Sequence, residues 1–110
     1  MKEAPLVRTD EDGYPTEEFL EWVKSYDVVE GSGFWFIQEV LSEWWPDGEY
    51  GVRIQRKYRG ERKVHVSTWG WSGNEELIAA MQGNMMFWVL HYYAHQVGGH
   101  YTFRFTEEMH

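Results

Sequence analysis

The sequence of 110 residues contains no cysteine, which excludes a disulfide framework, a thiolate zinc site and a cysteine nucleophile. It also has no apolar run long enough to cross a bilayer. The first residues, Met1 to Pro5, lack the apolar segment of a signal peptide. We therefore expect a cytoplasmic protein that makes no membrane contact.

Catalytic signatures are missing as well. Ser72 follows Gly70 at the spacing of a nucleophile elbow, but Asn74 stands where that motif requires a second glycine. Glu75 and Glu76 would suit an acid/base pair, yet they fall in the first turn of a predicted helix, where acidic residues favour the helix dipole. The sequence therefore predicts a non-enzymatic protein without a cofactor.

Aromatic residues, in contrast, are abundant: seven Trp, seven Tyr and six Phe make up 18% of the chain. This much apolar area predicts a folded core, and the length suits one domain. Residues 1–14 carry Pro5, Gly13 and the acidic run 10–12 without hydrophobic periodicity. We therefore predict a flexible or loosely docked arm over residues 1–14 and a single α+β domain over residues 15–110.

The net charge of −8 is distributed unevenly. Residues 1–49 carry thirteen acidic and three basic side chains, whereas residues 50–110 carry seven basic and five acidic ones, so the two parts have net charges of −10 and +2. Six of the basic residues form a basic cluster around Glu61: Arg53, Arg56, Lys57, Arg59, Arg62 and Lys63. Such a cluster attracts phosphate, an acidic partner or the acidic half of the same protein, or it simply solvates an exposed hairpin.

Two helices are predicted before the basic cluster. The first begins after Thr16 as the N-cap and ends near Asp27. Residues 34–45 show apolar positions at helical spacing until Pro46 forbids continuation, but the run 34–37 would equally suit a buried strand. Helix and strand therefore both remain open for residues 34–45.

A hairpin is predicted over about residues 49–71, with its loop at 59–61. Val64 and Val66 alternate with a second set of side chains that share the opposite face, namely His65, Ser67, Trp69 and Trp71. If helices cover only the valine face, both indoles are exposed beside the arginines. If the N-terminal helices cover the second face too, the domain has three layers.

The hairpin is followed by a predicted long helix and a final strand. Ser72 and Glu75 have the spacing of a capping box, which starts a helix over residues 73–96. Gly98-Gly99 ends that helix through a left-handed cap, and alternating residues 100–106 form a strand. The predicted fold is α+β in the order α-α-β-β-α-β, with a three-stranded, mainly antiparallel sheet packed against a long aromatic helix and two N-terminal helices.

Three histidines near the end of this predicted helix are weak metal candidates. His91 and His95 are four residues apart and would share a helix face, and His100 follows as a third ligand. The glutamate that follows the first histidine in zinc-protease helices is missing, because Tyr92 and Tyr93 follow His91. A histidine at a helix end also interacts favourably with the helix dipole without any metal.

The segment Met85 to Tyr93 is apolar in nearly every direction of a helix, with His91 as its most polar side chain. One sheet face does not cover such a helix, so either the first two helices or a second subunit must pack over it. We predict a symmetric dimer, in which the acidic half of one chain contacts the basic half of the other.

Part of the chain resembles a group of small phage-encoded proteins of unknown function. The resemblance rests on Thr68, the turn Gly70-Trp71-Ser72-Gly73-Asn74-Glu75, the helix containing Phe87-Trp88, and Gly98-Gly99-His100-Tyr101 with Phe103. Trp69 departs from the group pattern, which has a second glycine there. The resemblance covers about a third of the chain and implies a phage origin, and hence the host cytoplasm, but no activity.

Two functional hypotheses follow. The first is a non-enzymatic phage accessory protein that binds a host or phage protein, for example to inhibit a defence or replication factor. The alternative is a nucleic-acid-binding module, which the acidic net charge and the lack of a recognised binding motif disfavour. Both use the same candidate binding residues: Arg53, Arg56, Lys57, Arg59, Arg62, Lys63, His65, Trp69 and Trp71.

Overall fold

The computed structural model describes residues 3–45, 51–57 and 60–106. Within these ranges the elements are α1 (Glu17–Ser25), α2 (Gly33–Leu41), β1 (Val52–Arg56), β2 (Arg62–Ser67), α3 (Ser72–Gly83), α4 (Met85–His91), β3 (Tyr92–Gln96) and β4 (His100–Phe105). The strands form one antiparallel sheet in the order β1-β2-β4-β3. The α+β class is as predicted from the sequence, but the sheet has four strands rather than three. The predicted loop residue Arg59 and the first residues of the predicted hairpin lie outside the described residues.

The fourth strand comes from the second half of the predicted helix 73–96, and that prediction is wrong. The helix breaks at Asn84, whose side-chain amide donates hydrogen bonds to the carbonyl oxygens of Val23 (3.0 Å) and Tyr26 (2.9 Å). The Asn84 side-chain oxygen accepts from the Phe87 amide at 3.2 Å and so caps α4. Tertiary contacts at one asparagine therefore end α3 and start a new helix.

Beyond α4 the chain returns as a β-hairpin. β3 pairs with β4 in an antiparallel register, and one extra residue, Tyr93, forms a bulge. Gly98 and Gly99 have positive φ angles of 100° and 80°. The glycines are therefore left-handed as predicted, but they form the β3–β4 turn instead of a helix cap.

The two N-terminal helices agree with their predicted positions. Thr16 caps α1 by accepting from the Phe19 amide at 3.1 Å, and the helix ends at Ser25, slightly before the predicted Asp27. α2 shows that residues 34–37 are helical, and Ser32 caps it through the Trp35 amide at 3.0 Å. The strand interpretation of residues 34–37 is therefore wrong, because these residues belong to a capped helix.

The predicted capping box at Ser72 and Glu75 does not form. Ser72 already lies inside α3, and the N-cap, Trp71, makes no side-chain capping hydrogen bond. Asn74, which is fully buried, anchors this helix end instead, because it accepts from the Trp45 amide at 3.1 Å and donates to the carbonyl oxygens of Trp45 and Thr68. The first turn of α3 is thus held to segments that are distant from it in the sequence.

The core lies between the four helices and one face of the sheet. Val64, Val66, Phe103 and Phe105 point towards the helices and are fully buried. Phe87 of α4 lies against this face, with ring centroids 5.6 Å from Phe103 and 6.4 Å from Phe105. The molecule therefore has two layers in its described part, and the predicted third layer on the opposite sheet face is not formed by the N-terminal helices.

Residues 3–14 contact the domain at several positions, including Arg8 and Tyr14. An Arg8 guanidinium nitrogen lies 3.2 Å from Glu39 Oε1, and the Tyr14 ring lies 5.3 Å from that of Trp71. The division into an arm and a domain at residue 15 stays a prediction. None of the described helices combines the length and apolarity that a bilayer span requires.

Candidate binding face of the sheet

The sheet face that points away from the helices is polar and is not covered by a described helix. Strand alternation and register bring its side chains together in rows across the strands. We call this surface the open face, and its members are Arg53, Gln55, Lys63, His65, Ser67, Tyr93, Ala94, Gln96, His100, Thr102 and Arg104. It includes a depression of about 440 Å³ lined by Arg53, His65, His100 and Thr102, among others.

His65 occupies the middle of the open face. Its Nδ1 lies 3.0 Å from Thr102 Oγ1, and its Nε2 lies 3.2 Å from Gln55 Oε1. Because an amide oxygen only accepts, Nε2 carries the proton and Nδ1 accepts from the threonine hydroxyl. Burial, followed by the charges of Arg53, Lys63 and Lys57, lowers the pKa of His65 below 6.5. The ring is therefore neutral at pH 7 and acts as a fixed hydrogen-bonding group.

The charge of the open face comes from arginine and lysine. The ammonium group of Lys63 lies 4.3 Å from the centroid of the Tyr93 ring, and Arg104 Nε lies 3.0 Å from Glu61 Oε2. In the described ranges no carboxylate forms an ion pair with Arg53 or Lys63. Two neighbouring cations without a counter-charge make this face suited to a negatively charged ligand.

Other members of the basic cluster lie elsewhere. Arg56 and Arg62 lie opposite each other on β1 and β2, and both belong to the sheet face that packs against the helices. The Arg62 guanidinium lies 4.6 Å from the Phe34 ring centroid. Lys57 follows the end of β1 and is exposed. Arg59 lies outside the described residues. The predicted cluster is therefore divided between the two sides of the sheet.

Trp69 and Trp71 do not lie beside the arginines, which corrects their predicted placement. β2 ends at Ser67, and Trp69 adopts a positive φ of 55°, so the alternation stops before either tryptophan. The Trp71 ring packs 6.0 Å from that of Trp45. Trp45 and Trp71 line a separate groove of about 390 Å³ that also contains Asp12 and Glu43.

Sequence reasoning missed the contribution of β3 and β4 to the open face. Tyr93 was assigned to a helix, so its position beside Lys63 could not be anticipated. Thr102 and Arg104 alternate with buried aromatic residues in the sequence, and that alternation was sufficient to place them on the wet side of a strand. Their positions opposite His65 and Lys63 could be known only from the order of the strands in the sheet.

The three candidate metal ligands are not brought together. His91 lies in the core beneath Phe105, His95 stacks on Tyr101 at 4.2 Å, and His100 Nδ1 lies 2.7 Å from Ser67 Oγ. No group of three or more metal-ligating side chains occurs within residues 3–45, 51–57 and 60–106. The helix assumed for the histidine pair ends at His91, so the expected i, i+4 geometry does not exist.

His91 is instead a buried neutral histidine. It is 1% exposed, and its Nδ1 lies 3.0 Å from the Arg104 carbonyl oxygen, which makes Nδ1 the protonated nitrogen. Its Nε2 is directed at Gly33, where any side chain would overlap the imidazole. Nε2 has no hydrogen-bond partner among the described residues. Protonation would place an unpaired charge there, and burial accordingly lowers the pKa of His91 below 6.5.

This burial predicts a loss of stability in mild acid. A histidine in the unfolded chain has a pKa of about 6.5. The unfolded chain therefore binds a proton more readily than the folded protein. The free energy of unfolding should therefore begin to fall below about pH 6.5 and continue falling until the pH reaches the lowered folded pKa of His91. Urea unfolding between about pH 7.5 and 5 measures this decline.

Two variants test the assignment. His91→Phe keeps a ring between Phe87 and Phe105 but does not titrate, so most of the decline should disappear. His65→Gln should leave most of it, because His65 is only partly buried. An unchanged pH profile in His91→Phe would contradict the assignment to His91.

Comparison of the chain with protein-family models, curated proteins and solved structures finds no match. The fold defines it as a two-layer α+β protein with an open, basic sheet face. Its function is therefore inferred from its own surfaces.

Proposed function

We propose that this chain is a non-enzymatic binding protein whose open face takes an acidic segment of a partner protein. The observation that carries the proposal is the pair of cations, Arg53 and Lys63, on the open face without an ion-paired carboxylate among the described residues. Arg53 also lines the depression in that face. Lys57 adds a third positive charge near His65. A guanidinium can bind a carboxylate through two parallel hydrogen bonds.

The neutral groups of the open face suit a peptide-like ligand. His65, Gln55 and Thr102 form a hydrogen-bonded row across three strands. Ser67 and His100 form a second polar pair at the end of β2. Side-chain amides, hydroxyls and imidazoles of this kind satisfy the backbone and carboxylate groups of an extended segment.

A nucleic-acid ligand is less favoured. Single-stranded nucleic acid requires aromatic platforms as well as cations, but Trp71 lines a separate, acidic groove, and Trp69 lies beyond the end of β2. On the open face the exposed aromatic ring is that of Tyr93, which Lys63 already contacts. Few cations and a net charge of −8 also limit phosphate binding.

The wider role is part of the same proposal. The resemblance to phage-encoded proteins supports an accessory function in the host cytoplasm. The partner would then be a host defence or replication factor with an acidic surface, and binding would inhibit it. This identification depends on the resemblance alone.

A pair of charge-matched variants tests the binding face. Arg53→Gln combined with Lys63→Gln should weaken binding of a labelled oligoglutamate peptide by about tenfold or more, because it removes both uncompensated cations. The control, Lys24→Gln combined with Arg56→Gln, changes the net charge equally but leaves the open face intact. Fluorescence anisotropy gives both affinities.

Equal weakening by the two double variants would contradict the proposed face, because it would indicate only long-range attraction. A labelled oligothymidylate strand of equal charge serves as the second probe. Tighter, face-dependent binding of that strand would favour the nucleic-acid alternative. Thermal unfolding should differ little between variants because all four substituted side chains are polar and largely at the surface.

A further inference from the structure

The segment that contains α4 and β3 carries no formal charge. Residues 77–103 include no Asp, Glu, Lys or Arg, although these types make up 25% of the chain. On α4 the outward side chains are strongly exposed: Met85 is 74%, Met86 50% and Val89 76% accessible. An uncharged apolar surface of this kind is typical of a protein contact.

The free edge of β3 adds a second observation. β3 pairs only with β4 among the described strands, so its other side presents unpaired backbone groups. The opposite edge strand, β1, carries Arg53 and Arg56 and is followed by Lys57, which protect it against strand addition. β3 has no charged residue and no proline. Its bulge at Tyr93 interrupts the start of the strand, and residues 94–96 remain a regular edge without charged protection.

From these features we propose that the surface formed by α4 and the β3 edge, here called the α4/β3 surface, binds a second copy of this chain. The two β3 strands pair antiparallel around a two-fold axis perpendicular to the sheet. That axis places both α4 helices on the same side, where Met85, Met86 and Val89 of each chain face the other.

The charge distribution of the chain favours a second copy as the partner that binds the α4/β3 surface. Two chains of net charge −8 repel each other, and a contact through uncharged surfaces adds no local repulsion between like charges. The α4/β3 surface is uncharged over all its residues, so a two-fold contact sets neutral groups against neutral groups. Antiparallel strand pairing is also self-complementary, because each β3 offers its mate the same row of donors and acceptors.

This contact differs from a dimer held by the −10 and +2 halves of the sequence. Screening by salt weakens attraction between opposite charges, but it strengthens a neutral interface between two like-charged chains. Salt dependence therefore distinguishes the two arrangements. The interface uses the backbone edge of β3 and the outward side of α4 rather than the cations Arg53 and Lys63, so the proposal does not depend on the proposed function.

Sedimentation equilibrium of the full chain tests the proposal at about 50 mM and about 500 mM sodium chloride. We expect a dimer at micromolar concentration whose dissociation constant decreases at the higher salt. Val89→Lys should raise that constant by about tenfold or more, because it buries a charge in the contact. The matched control is Val29→Lys, at a valine that is 70% exposed in the turn before α2, and it should dimerise as the wild type does.

Four results would contradict the proposal. A monomer mass at all concentrations excludes the dimer. A dissociation constant that rises with salt indicates charged contacts instead. Equal effects of Val89→Lys and Val29→Lys remove α4 from the interface. As a further readout, amide hydrogen exchange in residues 92–97 should slow on dimerisation, and unchanged exchange there would exclude the β3 edge.

Discussion

Replacing Phe87 by alanine is expected to lower the free energy of unfolding by about 3–5 kcal/mol. The Phe87 side chain is 0% exposed and joins the layers of the domain, because its ring contacts Phe36 of α2 at 5.0 Å and the sheet residues Phe103 and Phe105. Alanine would leave a cavity that these large rings cannot fill by small movements. Since domains of this size are stable by only about 5–15 kcal/mol, the variant should be close to unfolding at room temperature.

Urea unfolding measures the effect, and α4 supplies its own control. Val89→Ala shortens a side chain in the same helix that is 76% exposed, so its cost should stay within about 0.5 kcal/mol. Similar losses for the two variants would mean that Phe87 is not the central contact of the core. If the Phe87→Ala variant had the same free energy of unfolding as the wild type, the packing described above would be wrong.

Replacing Asn84 by aspartate is expected to cost about 3 kcal/mol or more at pH 7. The substitution keeps shape and volume, but it replaces the amide nitrogen, which donates two buried hydrogen bonds, by an oxygen that faces the carbonyl groups of Val23 and Tyr26. Burial of the new carboxylate raises its pKa above that of the unfolded chain. The deficit relative to the wild type should therefore shrink as the pH falls and the group is protonated.

The matched control for this prediction is Gln82→Glu, which makes the same amide-to-acid change at an exposed position of α3. Its cost should be within about 0.5 kcal/mol at pH 7. If Asn84→Asp were equally mild, the break between α3 and α4 would not depend on the side chain of Asn84. Far-ultraviolet circular dichroism of both variants would show whether the helices persist.

The two proposed surfaces are compatible in one assembly. Pairing of β3 strands around a perpendicular two-fold axis extends the sheet from four strands to eight across the dimer. Both open faces then lie on the same side, away from the helices. A partner with two acidic segments would engage both faces, and its affinity would exceed that for a single face without any new contact.

Several elements were predictable because their signals are local. Thr16 precedes an apolar periodic segment and caps its helix, as the spacing of polar and apolar residues predicts. Ser32 caps α2 in the same way, although the sequence left helix and strand open there. The alternation of Val64 and Val66 with His65 marks β2 and assigns its two faces. The basic residues on the wet side of β1 and β2 follow from the same period of two.

Other features were not predictable because they depend on partners distant in sequence. Residues 85–96 have a composition that suits a helix or a buried strand, and contacts of Asn84 with α1 and of β3 with β4 select the outcome. Trp69 and Trp71 follow a strand pattern, but the left-handed turn at Trp69 removes them from the sheet. Local helix and strand propensities carry no information about these long-range interactions.

The sequence by itself determined the α+β class, the antiparallel hairpin, the start of the first helix and a positively charged strand pair. It also determined the uncharged segment 77–103, since charge is a property of composition. The tertiary structure decided that this segment divides into α3, α4 and two strands, that β3 becomes an unprotected edge, and that Arg53 and Lys63 share a face with Tyr93 and Arg104. Residues far apart in the chain become neighbours only when strand order and helix packing are fixed, and those follow from burial of the whole core rather than from any local pattern.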